Sequence, residues 1–219
     1  MRNSSGDYEM LIEDEKTVRP ETLPWLARFA SLNTIKVRLS GRTWPALDLF
    51  QAVLYAAGHG RVDVIHLLFD HGAPANASVH VGDLEPVMLG AILNNVAVVE
   101  ALLERGCEAN PYAFPDGAFI HATDYAIAWG NVGMLQSMIQ HGAKLVNESA
   151  PLNPLDLVEH FPHEEMRDYL YSLGSEVTCL ETDPENLIKA LDFLKAHVID
   201  RDLRDVEKAM RIEKVIVAG

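Results

Sequence analysis

Ala56-Ala57-Gly58-His59-Gly60-Arg61-Val62-Asp63-Val64-Ile65-His66-Leu67-Leu68-Phe69-Asp70-His71-Gly72-Ala73-Pro74-Ala75-Asn76 is the stretch that decides the fold of this chain. Val64, Leu67 and Leu68 stand at helical spacing between Gly60 and Gly72, which predicts one short helix bounded by glycines. Gly72 falls where the backbone needs a left-handed residue to leave the helix, a conformation that only glycine adopts without strain. The small pair Ala56-Ala57 ends a preceding apolar helix and removes bulk where the two helices approach.

The same stretch recurs along the chain. A shift of 34 positions lands on Gly90-Ala91-Ile92-Leu93-Asn94-Asn95-Val96-Ala97-Val98-Val99-Glu100-Ala101-Leu102-Leu103-Glu104-Arg105-Gly106-Cys107-Glu108-Ala109-Asn110. A further 36 gives Gly130-Asn131-Val132-Gly133-Met134-Leu135-Gln136-Ser137-Met138-Ile139-Gln140-His141-Gly142-Ala143, and another 32 gives a worn copy ending at Tyr169-Leu170-Tyr171-Ser172-Leu173-Gly174. One helix pair cannot bury its own apolar face, so neighbouring copies must stack.

This period and punctuation resemble the ankyrin repeat, a two-helix unit of about 33 residues. The family's Thr-Pro-Leu-His opening is degenerate here: Gln51-Ala52-Val53-Leu54, Glu85-Pro86-Val87-Met88, His121-Ala122-Thr123-Asp124 and Asn153-Pro154-Leu155-Asp156. The second half of the unit carries the likeness, which covers residues 46–146 and extends in weaker form to 176. Pro162 stands where the fourth copy should have its mid-repeat glycine, so that turn is expected to differ. The resemblance implies an all-α, ankyrin-type helix-turn-helix solenoid of about four to five repeats with divergent caps.

Working outward, residues 1–18 are read as a disordered N-terminus, 19–45 as an N-terminal capping segment, 46–180 as the repeats, and 181–219 as a C-terminal helical pair. In the N-terminal cap, Pro24 to Ala30 and then Ile35, Val37 and Leu39 leave strand and short helix both open. At the other end Asp183-Pro184-Glu185 is a helix start, with a cap, a proline at the first position and an acid in the first turn. Leu187, Leu191, Leu194 and Val198 form one apolar stripe, and Leu203, Val206 and Met210 a second. This pair is read as either a degenerate fifth repeat or a capping hairpin.

The 219 residues carry 18 Lys+Arg against 32 Asp+Glu, a formal charge of −14. Residues 49–180 hold only four basic side chains against sixteen acidic ones, so nearly all the surplus lies in the repeats. Such a surface has no excess of cations to displace the counterions of a nucleic acid, and no direct nucleic-acid binding is expected. Cys107 and Cys179 cannot build a disulfide framework, and the default reading is a reducing, cytoplasmic setting. No uncharged apolar run reaches membrane-spanning length, and no membrane partner is expected.

Catalytic chemistry finds little support. His160-Phe161-Pro162-His163-Glu164-Glu165 is the densest cluster of potential ligands, but Pro162 breaks the helix that would hold both imidazoles on one face. Glu164 and Glu165 diverge on a helix, and no phosphate loop or nucleophile elbow is present. Cys107 sits in a repeat-closing turn as an ordinary turn residue. His66 and His71 are placed on the outer helix and at its C-terminal end. No enzyme activity, cofactor or metal is therefore expected.

The resemblance directs attention to the ends of the first helices and to the finger turns between repeats, where ankyrin-like folds usually bind. The corresponding positions are His59, Leu93, Trp129 and Phe161, largely apolar or aromatic. Trp129 and Phe161 can be read as anchors of an open groove or as core beneath long fingers. The finger links from Asn76 to Glu85 and from Asn110 to His121 exceed the usual length, by one and by three residues. They bring His80, Asp83, Tyr112, Phe114, Asp116 and Phe119 to one edge with Glu148, an acidic rim suited to a basic protein. The expected function is a non-enzymatic adaptor or stoichiometric inhibitor, monomeric or weakly self-associating, that grips a basic protein through its concave face and fingers. An immunity-like, nucleic-acid-mimicking inhibitor of a nuclease or toxin is the first alternative, and a self-assembling structural protein the second.

Overall fold

A computed structural model describes residues 22–76, 85–113, 120–145, 152–174 and 184–198. Within them the chain forms α1 (Leu23–Phe29), α2 (Leu32–Ser40), α3 (Ala46–Gly58), α4 (Val62–Asp70), α5 (Pro86–Ile92) and α6 (Val96–Glu104). A two-stranded antiparallel finger follows, β1 (Tyr112–Ala113) and β2 (Ile120–His121), with Tyr112 opposite His121. The chain then continues through α7 (Ala122–Ala128), α8 (Val132–Gln140), α9 (Pro154–His160), α10 (Glu164–Ser172) and α11 (Pro184–Val198).

The helices stack in two rows. One row runs α1, α3, α5, α7, α9 and the other α2, α4, α6, α8, α10, each helix against its neighbours in the row and its partner across it. This is an all-α ankyrin-like solenoid, and it begins earlier than the repeat pattern does. The N-terminal segment is two helices, not a strand. α1 packs along α3 and α2 along α4, as a further repeat would. The alternation of Ile35, Val37 and Leu39 misleads: in a helix Ile35 and Leu39 share the buried face while Val37 points out, 66% exposed.

Two of the repeats start the second helix with an asparagine cap, and three close it with a glycine. Asn95 and Asn131 cap α6 and α8, their side-chain oxygens accepting from the amides of Val98 at 3.2 Å and Met134 at 3.0 Å. At the far end Gly72, Gly106 and Gly142 adopt positive φ, between 80° and 96°. The amide after each glycine donates five residues back, Ala73 to Leu68, Cys107 to Leu102 and Ala143 to Met138. Between the paired helices the left-handed position is filled by Gly60, Asn94 and Gly130. Close approach matters too: a Cβ on Gly90 would lie 2.9 Å from Val99 Cγ2, so α5 and α6 meet where there is no side chain.

Side chains then rivet one repeat to the next. Arg61 Nη1 donates to the carbonyls of Ala27 and Ala30, at 3.0 and 2.7 Å, closing the end of α1. Asn131 Nδ2 donates to Asn94 Oδ1 at 2.7 Å, and His163 Nε2 lies 3.1 Å from the Ala128 carbonyl. On the opposite edge Asn76 accepts from the Glu108 amide at 2.9 Å, and Asn110 donates to the Lys144 carbonyl at 3.1 Å. The buried core runs along the array from Leu23 to Leu170, and each of its larger aliphatic side chains contributes about 1.5–3 kcal/mol.

The fourth repeat departs from the others at Pro162. Proline cannot take the left-handed conformation and restricts the residue before it to extended backbone. Phe161 accordingly has φ −125° and ψ 83°, and its side chain is only 4% exposed. The groove-anchor reading of Phe161 is corrected here: the ring belongs to the core. At the C-terminal end, α11 buries Ala190, Leu191 and Leu194. Its main neighbour is α7, two positions back in the row, so it does not continue the stack as the next repeat. The second stripe, from Leu203 onward, lies outside the described residues.

Candidate interaction surface

The turns between paired helices form one edge of the array, and the sequence places His59, Leu93 and Trp129 there. His59 ends α3. Its Nδ1 lies 2.8 Å from the Tyr55 carbonyl, and its Nε2 lies 2.7 Å from Arg28 Nε. A guanidinium can only donate, so the imidazole is neutral with its proton on Nδ1. Burial pushes its pKa below the ordinary value, opposed by the hydrogen bond to the Tyr55 carbonyl and aided by the Arg28 and Arg61 cations. Phe29, 40% exposed, carries the Arg28 guanidinium 4.5 Å over its ring and meets His59 at 6.1 Å. Leu93 and Trp129 end α5 and α7 and are half-buried against the core.

The finger is the second part. Tyr112 on β1 is 55% exposed, and its ring lies 6.0 Å from that of His121 on β2. The base of the finger is held from below. Asp124 Oδ2 accepts from the His121 amide at 2.7 Å, and the Thr123 amide donates to Asn110 Oδ1 at 3.1 Å. His121 and Asp124 are each 5% exposed, with His121 Nδ1 3.9 Å from Asp124 Oδ2. Burial raises the Asp124 carboxyl to about 7, partly opposed by the His121 amide, and lowers the His121 imidazole to about 4. His121 and Asp124 were quoted in the sequence only as a worn repeat opening. An acid at the third position of α7 is a local signal of the capping contact only; the burial of the pair is set by the fold.

His80, Asp83, Phe114, Asp116, Phe119 and Glu148 lie outside the described residues. The described surface adds an electrostatic point to them. Three of the four basic side chains among residues 49–180 already have intramolecular partners. Arg61 binds backbone carbonyls, Arg105 meets Asp70 at 2.7 Å and His66 Nδ1 at 3.3 Å, and Arg167 lies 3.8 Å from Glu159. Among the described residues these three cations are therefore engaged within the chain.

Of the groups singled out as candidate chemistry, His163, Cys107 and His71 make contacts within the fold, and His160, Glu164 and Glu165 are exposed. His163 occupies the N-cap position of α10 without a side-chain capping bond, and its ring packs where a Gly130 side chain would be, 2.3 Å from an added Cβ. Cys107 is buried, and burial together with Glu85 raises its thiol to about 12, which keeps it protonated. His71 and His141 each place Nδ1 within 2.9 Å of the carbonyl four residues earlier, closing α4 and α8.

Stacked helix pairs, glycine-closed second helices and a hairpin finger define the class as an all-α ankyrin-type solenoid, an architecture that supports a protein-interaction module. Over 104 residues the chain is 27% identical to Ankyrin repeat protein nuc-2 of Neurospora crassa. That match takes in 48% of this chain and 10% of the relative, so the chain spans a small part of the protein it resembles. No family model matches. Among the described residues no helix is long and apolar enough to cross a membrane.

Proposed function

We propose that the chain is a non-enzymatic binding module that engages a basic protein through its finger and helix-turn edge, as an adaptor or stoichiometric inhibitor. The observation that carries this reading is the finger itself. Tyr112 stands exposed on a hairpin whose base is fixed by a buried capping pair, so a large aromatic is offered to solvent at little entropic cost. The formal acid surplus of the repeats favours a cationic partner and faster encounter with it.

The test is capture of partners from the native lysate at low and high salt, with wild type and Tyr112→Ala side by side. A basic protein retained at low salt, weakened by salt and lost with Tyr112→Ala at unchanged helicity and stability supports the reading. Capture that is indifferent to both salt and Tyr112 refutes it.

A further inference from the structure

α7 sits in the middle of the array and has four sides. α5 and α9 flank it in its row and α8 pairs with it from the second row. α11 lies against it as well, and three sides are already taken. The remaining side of α7 is the one that α11 covers. No residue of Ala122–Ala128 is exposed. α5 is as fully buried, so burial alone does not name the cover, whereas packing of α11 on α7 does.

α11 meets the array through a narrow seam. Ala190, Leu191 and Leu194 are at most 6% exposed and share one helical face, with Leu187 and Phe193 half-buried beside them. Ile188, on another face, is 62% exposed, and Lys189 pairs within the helix with Glu185 at 2.8 Å. Each of the row helices from α3 to α9 is held by a partner across the row and by neighbours on both sides or one. Among the described residues α11 has a single principal neighbour. Elements with few buried apolar contacts open at a small fraction of the global unfolding free energy.

We propose that the side of α7 covered by α11 is a receiving site for an amphipathic helix, and that α11 is its displaceable occupant within the same chain. The ligand chemistry is set by the seam: a helix presenting a small residue followed by two leucines at the spacing of Ala190, Leu191 and Leu194. The polar groups of α11 balance, Glu185 and Asp192 against Lys189 and Lys195. A helix with the same stripe and a basic polar face would compete with it on favourable terms against the acidic repeats, and this one clause rests on the basic-partner reading. In the resting chain this side of α7 is therefore closed by α11.

The test uses the full chain. The double substitution Leu191→Glu/Leu194→Glu removes the apolar seam, and native-state hydrogen exchange reads the result. Protection is expected to be lost over 184–198 and to fall over 122–129, while 46–70 stays protected. A synthetic peptide of residues 184–198 is expected to bind the variant at least tenfold more tightly than wild type. In unmodified protein, amides of 184–198 should exchange through an opening that leaves 154–172 protected, a readout that does not depend on the variant folding. Exchange of 184–198 only together with the whole array would overturn the proposal, as would failure of the peptide to bind a folded variant. A second peptide with Glu185→Lys and Asp192→Lys separates the two ideas. If the parent peptide binds and the basic one gains nothing at low salt, the receiving site stands and the basic-partner reading fails.

Discussion

Asp124→Asn should make the stability of this protein strongly dependent on pH between 4 and 6.5, although the wild-type pair contributes almost no such dependence. The folded His121 imidazole titrates near 4 against an ordinary 6.5, so its neutral form is favoured by folding. Its contribution is present above 6.5 and lost as the pH falls toward 4. The folded Asp124 carboxyl titrates near 7 against an ordinary 3.8, so its contribution is present below 3.8 and lost as the pH rises through 7. Across the shared window the two slopes have opposite sign and cancel. In terms of protons, the pair holds one in both the folded and the unfolded chain between 4 and 6.5, whichever of the two folded groups carries it. Asparagine keeps the oxygen that accepts from the His121 amide but does not titrate, so the His121 slope is uncovered. At about 1.4 kcal/mol per pH unit over 2.5 units, the variant should gain about 3 kcal/mol relative to wild type from pH 4 to pH 6.5. Urea unfolding followed by circular dichroism is the suitable assay, because it holds the chain in solution near its isoelectric pH of about 5.0. With a urea dependence of about 3 kcal/mol per molar, the midpoint difference between the two proteins should move by about 1 M across the window. A difference that stays constant with pH would refute the burial of this pair as neutral groups.

Further outcomes follow from the rivets and turns. Gly130→Ala should cost more than Gly106→Ala in thermal unfolding, about 3 kcal/mol against about 1. Both glycines have positive φ, but only at Gly130 does the new methyl meet the His163 ring. Arg61→Ala should loosen α1 and α2, since two backbone carbonyls lose their donor. Hydrogen exchange should then rise at least tenfold over residues 23–40 and change little over 96–140. Cys107 should resist a thiol alkylating agent at pH 8 in the folded chain and react at once in urea, because its thiol is buried and held up to about 12. Mass spectrometry of the modified residue distinguishes the two states.

Much of the fold was legible in one dimension because its determinants are local. A period near 34, glycines at 72, 106, 142 and 174, and apolar residues at helical spacing dictate each helix pair without reference to distant residues. The N-terminal pair was harder to read, since Ile35, Val37 and Leu39 alternate as a strand would, and only packing of α1 and α2 on α3 and α4 selects the helix. Phe161 shows the converse. Alignment with Trp129 leaves it open between groove and core, and beside Pro162 the backbone turns it into the core.

By itself the sequence determined the repeat, the all-α class, the concentration of acid in the middle of the chain and the positions of the finger and turns. Those properties depend on composition and on contacts within about one repeat. Tertiary structure alone decided that His121 and Asp124 form one buried pair, that Arg61 and His163 are spent on the carbonyls of the preceding repeat, and that α11 returns to α7 instead of extending the array. The physical reason is common to all three. Each depends on which surface remains unoccupied after the helices have stacked, and a local pattern cannot specify that remainder.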